Sequence, residues 1–272
     1  MRRGTLIVVF SVLACLVIDW VLAQPLDVGE SIRLQQEANL FFRQGREVSA
    51  RSPEEAVEFY NKALLRFERL VRDGQVKNEK IFYNIGNVYF YLGDLGRAIL
   101  NYRRAMLYNS SDANLLQNLE YARSRRVDKI QERQDTRILR ILIFWHYDLS
   151  FSTRTGLFAL FFLLFWCGAA MRIFRRTFLP GWVIGLTAVL ALSLAASLGY
   201  DHFVRGEVRE GVIVAEQIVA RKGDGQSYEP AFKDPLHSGT EFRMLEKRPG
   251  WVQIELSDGR SCWVPDDALE LI

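Results

Sequence analysis

Few side chains in this sequence could carry out chemistry, and they are scattered. The three histidines, His146, His202 and His237, lie at spacings that no zinc or other transition-metal site uses. No metal ligand set is therefore expected. Of the three cysteines, Cys15 and Cys167 sit inside apolar runs and only Cys262 lies in mixed sequence, so no intramolecular disulfide is expected in the soluble parts. Cys262 reads as a small, half-buried strand residue rather than a redox centre. No glycine-rich phosphate loop and no nucleophile elbow occurs. Glu54 and Glu55 suit the first turn of a helix better than an acid–base pair. The sequence points to no catalytic residue, no cofactor and no enzyme. It offers instead amides, tyrosines and cations suited to holding a peptide: Gln35, Gln36, Asn39 and Arg43, then Lys80, Tyr83, Asn84, Asn87 and Tyr91, then Asn114, Gln117, Asn118, Tyr121 and Arg125. Amides both donate to and accept from a peptide backbone, and tyrosine supplies contact area at small entropic cost. Arg43, Lys80 and Arg125, with no carboxylate in the set, favour an acidic segment or a C-terminal carboxylate. The plainer alternative is a solvated groove in which some of the amides brace adjacent helices.

Such residues must be held on helices. Between Glu79 and Asp112, the residues Phe82, Ile85, Gly86, Tyr89, Gly93, Ala98, Tyr102 and Ala105 occupy the large and small positions of a tetratricopeptide repeat, a helix pair of about 34 residues. Counted from Glu79, the second, fifth, sixth, ninth and thirteenth positions give the central group of the peptide-binding set. A single repeat cannot bury its own faces, and neighbours are present. Ala38, Phe41 and Gly45 match a first helix, and Ala56, Tyr60 and Ala63 a second. Ser52-Pro53-Glu54-Glu55 predicts a helix start with a serine N-cap, a first-turn proline and a capping-box glutamate, the helix running to about Val71. Leu116 and Leu119 begin a further helix that reads as a solvating cap. An α-helical tetratricopeptide-repeat solenoid is expected over residues 24–135. Stacked helix pairs of this kind present a concave surface to a partner's peptide.

The chain has 272 residues and a net charge of +3, too small a surplus to suggest nucleic acid. Its hydrophobic residues, 49% of the total, collect in three blocks. The first, over residues 1–23, reads as a signal peptide with Arg2 and Arg3, an apolar run and cleavage after Ala23. Lipidation at Cys15 after Val12-Leu13-Ala14 is the alternative. The other two, over residues 151–174 and 181–200, approach the length of about 20 apolar residues that crosses a bilayer core. Arg172, Arg175 and Arg176 mark 175–180 as a cytoplasmic loop, and Arg2 and Arg3 hold the extreme N-terminus on the same side. Both soluble parts are then expected outside the cytoplasmic membrane. Arg133, Arg137, Arg140 and Arg154 precede the first span and weaken that charge asymmetry. Residues 136–150 read as a juxtamembrane, interfacial segment. Gly181, Gly185, Ala191, Ala195 and Gly199 offer a small-residue face for packing against the first span.

After the spans, over residues 208–272, the texture changes to short alternating segments: Val212 to Val219, Glu241 to Leu245, Trp251 to Leu256 and Cys262 to Val264. Turn signals fall at Arg248-Pro249-Gly250 and Ser257-Asp258-Gly259. The order Gly250-Trp251, Asp258-Gly259, Trp263-Val264-Pro265 resembles a bacterial SH3-like domain, a small all-β barrel. Leu269 stands where an aromatic residue would help to line a proline groove, and the loop Gly223 to Gly239 is poor in acid. Trp251 and Trp263 suit the core and a ligand platform equally.

Two stretches carry a wider resemblance: Tyr83-Asn84-Ile85-Gly86-Asn87 through Leu95-Gly96-Arg97-Ala98-Ile99-Leu100-Asn101-Tyr102, and Asn118-Leu119-Glu120-Tyr121-Ala122-Arg123-Ser124-Arg125 with Val127-Asp128-Lys129-Ile130. With the order signal, repeats, two-helix transmembrane hairpin and SH3-like barrel, the chain resembles the BatE-like proteins of the bacterial aerotolerance cluster over nearly its whole length. Cys262 stands where that signature commonly has a glycine before tryptophan. The resemblance implies a non-enzymatic scaffold of the inner membrane. Its implied partners are membrane-anchored von Willebrand A-domain proteins, with a MoxR-type AAA+ ATPase in the wider system. Peptidoglycan, gripped by the barrel, is the alternative partner.

Overall fold

A computed structural model describes residues 26–131, 143–147, 149, 151–174, 180–203 and 209–272. The expected signal peptide, the arginines from Arg133 to Arg140, and Arg175 with Arg176 lie outside the described residues. The chain divides into two compact units, Met1–Gly93 and Asp94–Ile272. The 34-residue repeat expected from Glu79 is thus shared between them, one helix in each.

The first unit holds α1 (Val28–Val48), α2 (Pro53–Arg72) and α3 (Glu79–Tyr91). Each start has a local cause. Asp27 accepts from the Gly29 N–H at 3.1 Å, and Asn78 accepts from the Ile81 N–H at 3.0 Å. Helix α2 begins differently from the expected capping box. Pro53 and the two following glutamates occupy its first turn, but the Ser52 hydroxyl makes no capping bond. A pre-set proline φ and acidic charge at the helix N-terminus suffice there. The core consists of Ala38 from α1, Ala56, Tyr60, Ala63 and Phe67 from α2, and Ile81, Ile85 and Val88 from α3. Gly45 sets the distance between α1 and α2, since a Cβ there would lie 2.6 Å from the Tyr60 ring.

The second unit begins with α4 (Leu95–Met106) and α5 (Ala113–Ser124). Both are capped by aspartates: Asp94 accepts from the Arg97 N–H and Asp112 from the Leu115 N–H, each at 2.9 Å. A short helix α6 (Phe144–Tyr147) precedes α7 (Phe151–Phe174) and α8 (Gly181–Phe203). Helices α7 and α8 are long and apolar enough to cross a bilayer, and they pack against each other as a hairpin. The contact face follows the expected small-residue stripe only in part, at Gly181, where a Cβ would lie 2.6 Å from Arg172 Nη1, and at Ala191. Ala191, Leu194 and Ser197 are buried, whereas a Cβ on Gly185 or Gly199 would meet nothing within 4 Å. Of that stripe, Ala191 alone is fully buried.

The C-terminal module is a small antiparallel sheet. Strands β1 (Glu210–Ile213), β4 (Glu241–Arg248), β5 (Trp251–Leu256), β6 (Ser261–Pro265) and β7 (Leu269–Leu271) pair in the order β6-β5-β4-β1-β7. A separate ribbon pairs β2 (Gln217–Ile218) with β3 (Leu236–His237). The five-stranded sheet does not close into the expected barrel, because β6 and β7 remain its edges. The expected strand Val212 to Val219 is also broken. Past Ile213 the Val214 and Ala215 amides both turn to the Ala268 carbonyl, at 3.0 and 3.1 Å, and leave the ladder. Gly250 (φ 75°) and Gly259 (φ 87°) make the tight turns on either side of β5. Ile213, Phe242, Val252, Ile254, Cys262 and Val264 form the core of the module.

Candidate functional site

The peptide-binding set is best followed unit by unit. In the first, α1 carries Gln35, Asn39 and Arg43, and α3 carries Lys80, Tyr83, Asn84, Asn87 and Tyr91. Two of these residues hold the unit together: Asn84 Nδ2 donates to Asn39 Oδ1 at 3.3 Å, tying α3 to α1. Tyr91 is 46% exposed, yet its ring lies 5.3 Å from that of Tyr60 and 5.6 Å from that of Phe42. Arg43 and Lys80 are exposed, while Gln35, Tyr83 and Asn87 are half-buried.

In the second unit, α5 turns Leu115, Leu119 and Ala122 inward. Asn114, Gln117, Asn118, Tyr121 and Arg125 line the rest of the helix, and all but the half-buried Asn118 are exposed. The Arg125 guanidinium lies 5.8 Å from the Tyr121 ring centre, which presents a charged aromatic pair.

Sequence reasoning missed the most strongly coupled polar site, where the sheet docks on α4, α5 and the segment after them. Glu241, at the start of β4, is its centre. Arg123 grips both carboxylate oxygens, with Nε to Oε2 at 2.8 Å and Nη2 to Oε1 at 2.7 Å. Arg103 donates to Oε1 at 2.8 Å and Arg126 to Oε2 at 3.1 Å. Burial pushes the Glu241 carboxyl up, but the hydrogen bonds and charge of Arg123, with the charges of Arg103 and Arg126, outweigh it. The carboxyl titrates below its ordinary range. For Arg123, burial opposes the charge, yet its bonds to Glu241 and Glu120 raise its pKa further.

Further contacts complete the seam. Arg103 also pairs with Glu210, Arg97 Nε donates to Glu270 at 3.1 Å, and Arg104 donates to the Leu271 carbonyl at 2.6 Å. Asp128 accepts from the Thr240 hydroxyl at 2.6 Å and the His237 N–H at 2.7 Å, and meets His237 Nδ1 at 2.8 Å. Burial raises the Asp128 carboxyl, but those bonds outweigh it and hold the group below its usual range. Gly96 permits the approach: its N–H donates to Ser238 Oγ at 3.0 Å, and a Cβ there would stand 2.7 Å from the Ile213 carbonyl oxygen. Arg123 and Asp128 of the Ala122-Arg123-Ser124-Arg125 and Val127-Asp128 signature are thus spent on this seam. One signal was available, namely six arginines on or just after two short helices with too few local carboxylates to match them.

A second polar cluster joins α6, α7 and α8. Arg154 is only 2% exposed, and its guanidinium donates to Ser197 Oγ at 2.7 Å and to Asp201 Oδ2. His146 Nδ1 lies 2.9 Å from Ser197 Oγ and 3.1 Å from Arg154 Nη1, and its ring stands edge-on to Tyr200. Arg154, expected as a charge ahead of the first span, is instead inside α7 and neutralised. His146 and His237, which the sequence placed in no metal site, each engage a carboxylate-bearing cluster.

Cys262 is fully buried on β6, deeper than expected, and burial pushes its thiol up to about 12. The two tryptophans differ in burial. Trp263 is buried with the Arg248 guanidinium 4.7 Å from its ring, whereas Trp251 is half-exposed. Among the described residues, no group of three or more His, Cys, Asp or Glu side chains is placed to hold a metal ion. No protein-family model matches the chain, and no curated protein matches it.

Proposed function

We propose that this protein is a non-enzymatic scaffold of the bacterial inner membrane, crossing it twice, with tetratricopeptide-like helices and an SH3-like module both on the extracytoplasmic side. One observation supports this reading above the others. Helices α4 and α5, which precede the two apolar helices in the chain, are bound to the sheet that follows them through Glu241, Asp128 and their partners. Chain segments docked in this way belong on one face of a membrane, and an even number of crossings returns the chain to that face. The arginine pattern of the sequence then favours the outer face.

On this reading, the amides, tyrosines and cations of α1 and α3 in the first unit, and those of α5 in the second, each offer contacts to an extended segment of a partner. By resemblance to the BatE-like proteins, that partner is a membrane-anchored von Willebrand A-domain protein, with a MoxR-type ATPase in the wider system. The test is crosslinking in native membranes, followed by capture of the tagged full-length chain. Asn87→Ala with Tyr121→Ala should abolish recovery of the von Willebrand A-domain partner while far-UV circular dichroism and membrane insertion stay unchanged. Recovery that survives this pair, but is lost when residues 209–272 are deleted, would move the binding site to the C-terminal module.

A further inference from the structure

A concavity of about 470 Å³ opens in the C-terminal module, between the segment that follows β1 and the end of β6. Its apolar wall includes Trp251, Phe232 and Pro265. Two amides, Gln217 and Gln226, and two cations, Arg221 and Lys233, supply the polar groups.

The charge balance in the wall is one-sided. Three carboxylates near the wall are held by other cations: Glu229 by Lys222 at 2.9 Å, Asp224 by Arg248 at 2.8 Å, and Asp266 by Lys247 at 3.9 Å, while Glu216, beside Gln217, is exposed and is not part of the wall. Asp234 follows Lys233 but is not part of the wall. Arg221 donates Nη1 to the Tyr228 carbonyl at 2.9 Å, which fixes its guanidinium. Among the described residues, neither Arg221 nor Lys233 forms an ion pair. Arg221 and Lys233 therefore set two positive charges beside an apolar wall with a half-exposed tryptophan. The wall itself holds two cations and no carboxylate, which favours an anionic occupant. Amides that both donate and accept suit a peptide backbone.

We propose that this concavity binds an extended acidic segment of another protein, with a small apolar side chain against Trp251 and Phe232 and carboxylates toward Arg221 and Lys233. Charge complementarity selects the segment, and the rigid aromatic wall gives it contact area. The site is separate from the amide set on the helices, and it does not depend on the function proposed above.

The test uses the full-length chain in lipid nanodiscs, labelled with fluorotryptophan, with the Trp251 fluorine resonance assigned by Trp251→Phe. The probe is a blocked octapeptide of alternating Glu and Val. It should shift that resonance saturably, and Lys233→Glu, at an exposed position, should weaken binding by about tenfold or more. Octapeptides with Lys or Gln in place of Glu should bind much more weakly. The proposal is overturned by the absence of a shift at millimolar acidic peptide, by equal shifts from all three peptides, or by indifference to Lys233→Glu. It is also overturned if a purified disaccharide–tetrapeptide fragment of cell wall shifts the resonance where the acidic peptide does not, which would make the pocket a peptidoglycan site.

Discussion

Glu241 carries the largest load of any carboxylate in the seam, because three guanidiniums converge on it and it is largely removed from water. Removing it takes one carboxylate from three arginines, of which Arg103 keeps Glu210 and Arg123 keeps Glu120. Glu241→Ala should destabilise the second unit by about 2–3 kcal/mol, below the range for a fully buried pair because the arginines are partly exposed. Denaturant unfolding of the detergent-purified chain would measure this. The acid response follows in sign. Glu241 and Asp128 both have folded-state pKa values depressed below those of the unfolded chain. Their stabilisation is complete above the ordinary carboxylate range, about pH 4, and drains away as pH falls through the folded-state values. Glu241→Gln should therefore flatten the acid limb of the stability–pH curve, whereas Glu58→Gln, at an exposed position, should leave it unchanged. At Cys262, burial and a thiol pushed up to about 12 predict no alkylation by iodoacetamide at neutral pH until the chain is denatured.

Among the elements, the α7–α8 hairpin is tied by one buried ion pair. Arg154 and Asp201 are 47 residues apart in sequence and meet only when the hairpin forms. Asp201→Ala should destabilise the hairpin strongly, because it leaves the Arg154 charge buried without its carboxylate. Arg154→Met combined with Asp201→Ala should recover much of the loss, and thermal unfolding in detergent would show it. Failure of the double variant to recover would mean that Ser197 and His146 matter more than the charges. A stripe of small residues reads as a packing face by periodicity alone, but only part of it is used: Ala191 is buried together with Leu194 and Ser197 from outside the stripe, while Gly185 and Gly199 stand open. Features with local causes were legible: the helix start at Pro53, the two long apolar runs, and the glycine turns flanking β5. The Ser52 cap, the break after Ile213 and the open sheet were not, because each depends on contacts made elsewhere in the fold. The same holds for the candidate site. Its residue types could be read from helical spacing, but the Asn39–Asn84 brace and the use of Tyr91 in a ring cluster could not.

For the whole molecule, the seam and the hairpin make one joint prediction about topology. With Cys15, Cys167 and Cys262 changed to Ala, an impermeant thiol reagent applied to intact spheroplasts should label cysteines placed at Gln75 and Gln226. It should label one at Thr177 only after lysis. Labelling of Thr177→Cys alone before lysis would invert the proposed orientation, and labelling of only one of the other two would contradict the docking of sheet to helices. Salt adds a second readout. The seam is built from charges that are mostly half-buried, so raising ionic strength should weaken it only modestly, unlike a purely surface contact. Limited proteolysis after residue 131, compared at low and high salt, would measure that difference.

The long reach of the seam bears on the order in which the chain can assemble. Arg97 and Glu270 are 173 residues apart, so α4 and α5 leave the ribosome well before their carboxylates exist. Until then the arginines of both helices stay hydrated, and the early segment lacks the partner that completes its outer face. Closing so distant a contact through a free chain would be slow, and the entropic cost grows with the intervening length. An inserted hairpin shortens that search by bringing the late segment back beside its point of departure. A nascent chain whose hairpin failed to insert would expose an unmatched basic surface, which would distinguish misassembled copies from finished ones.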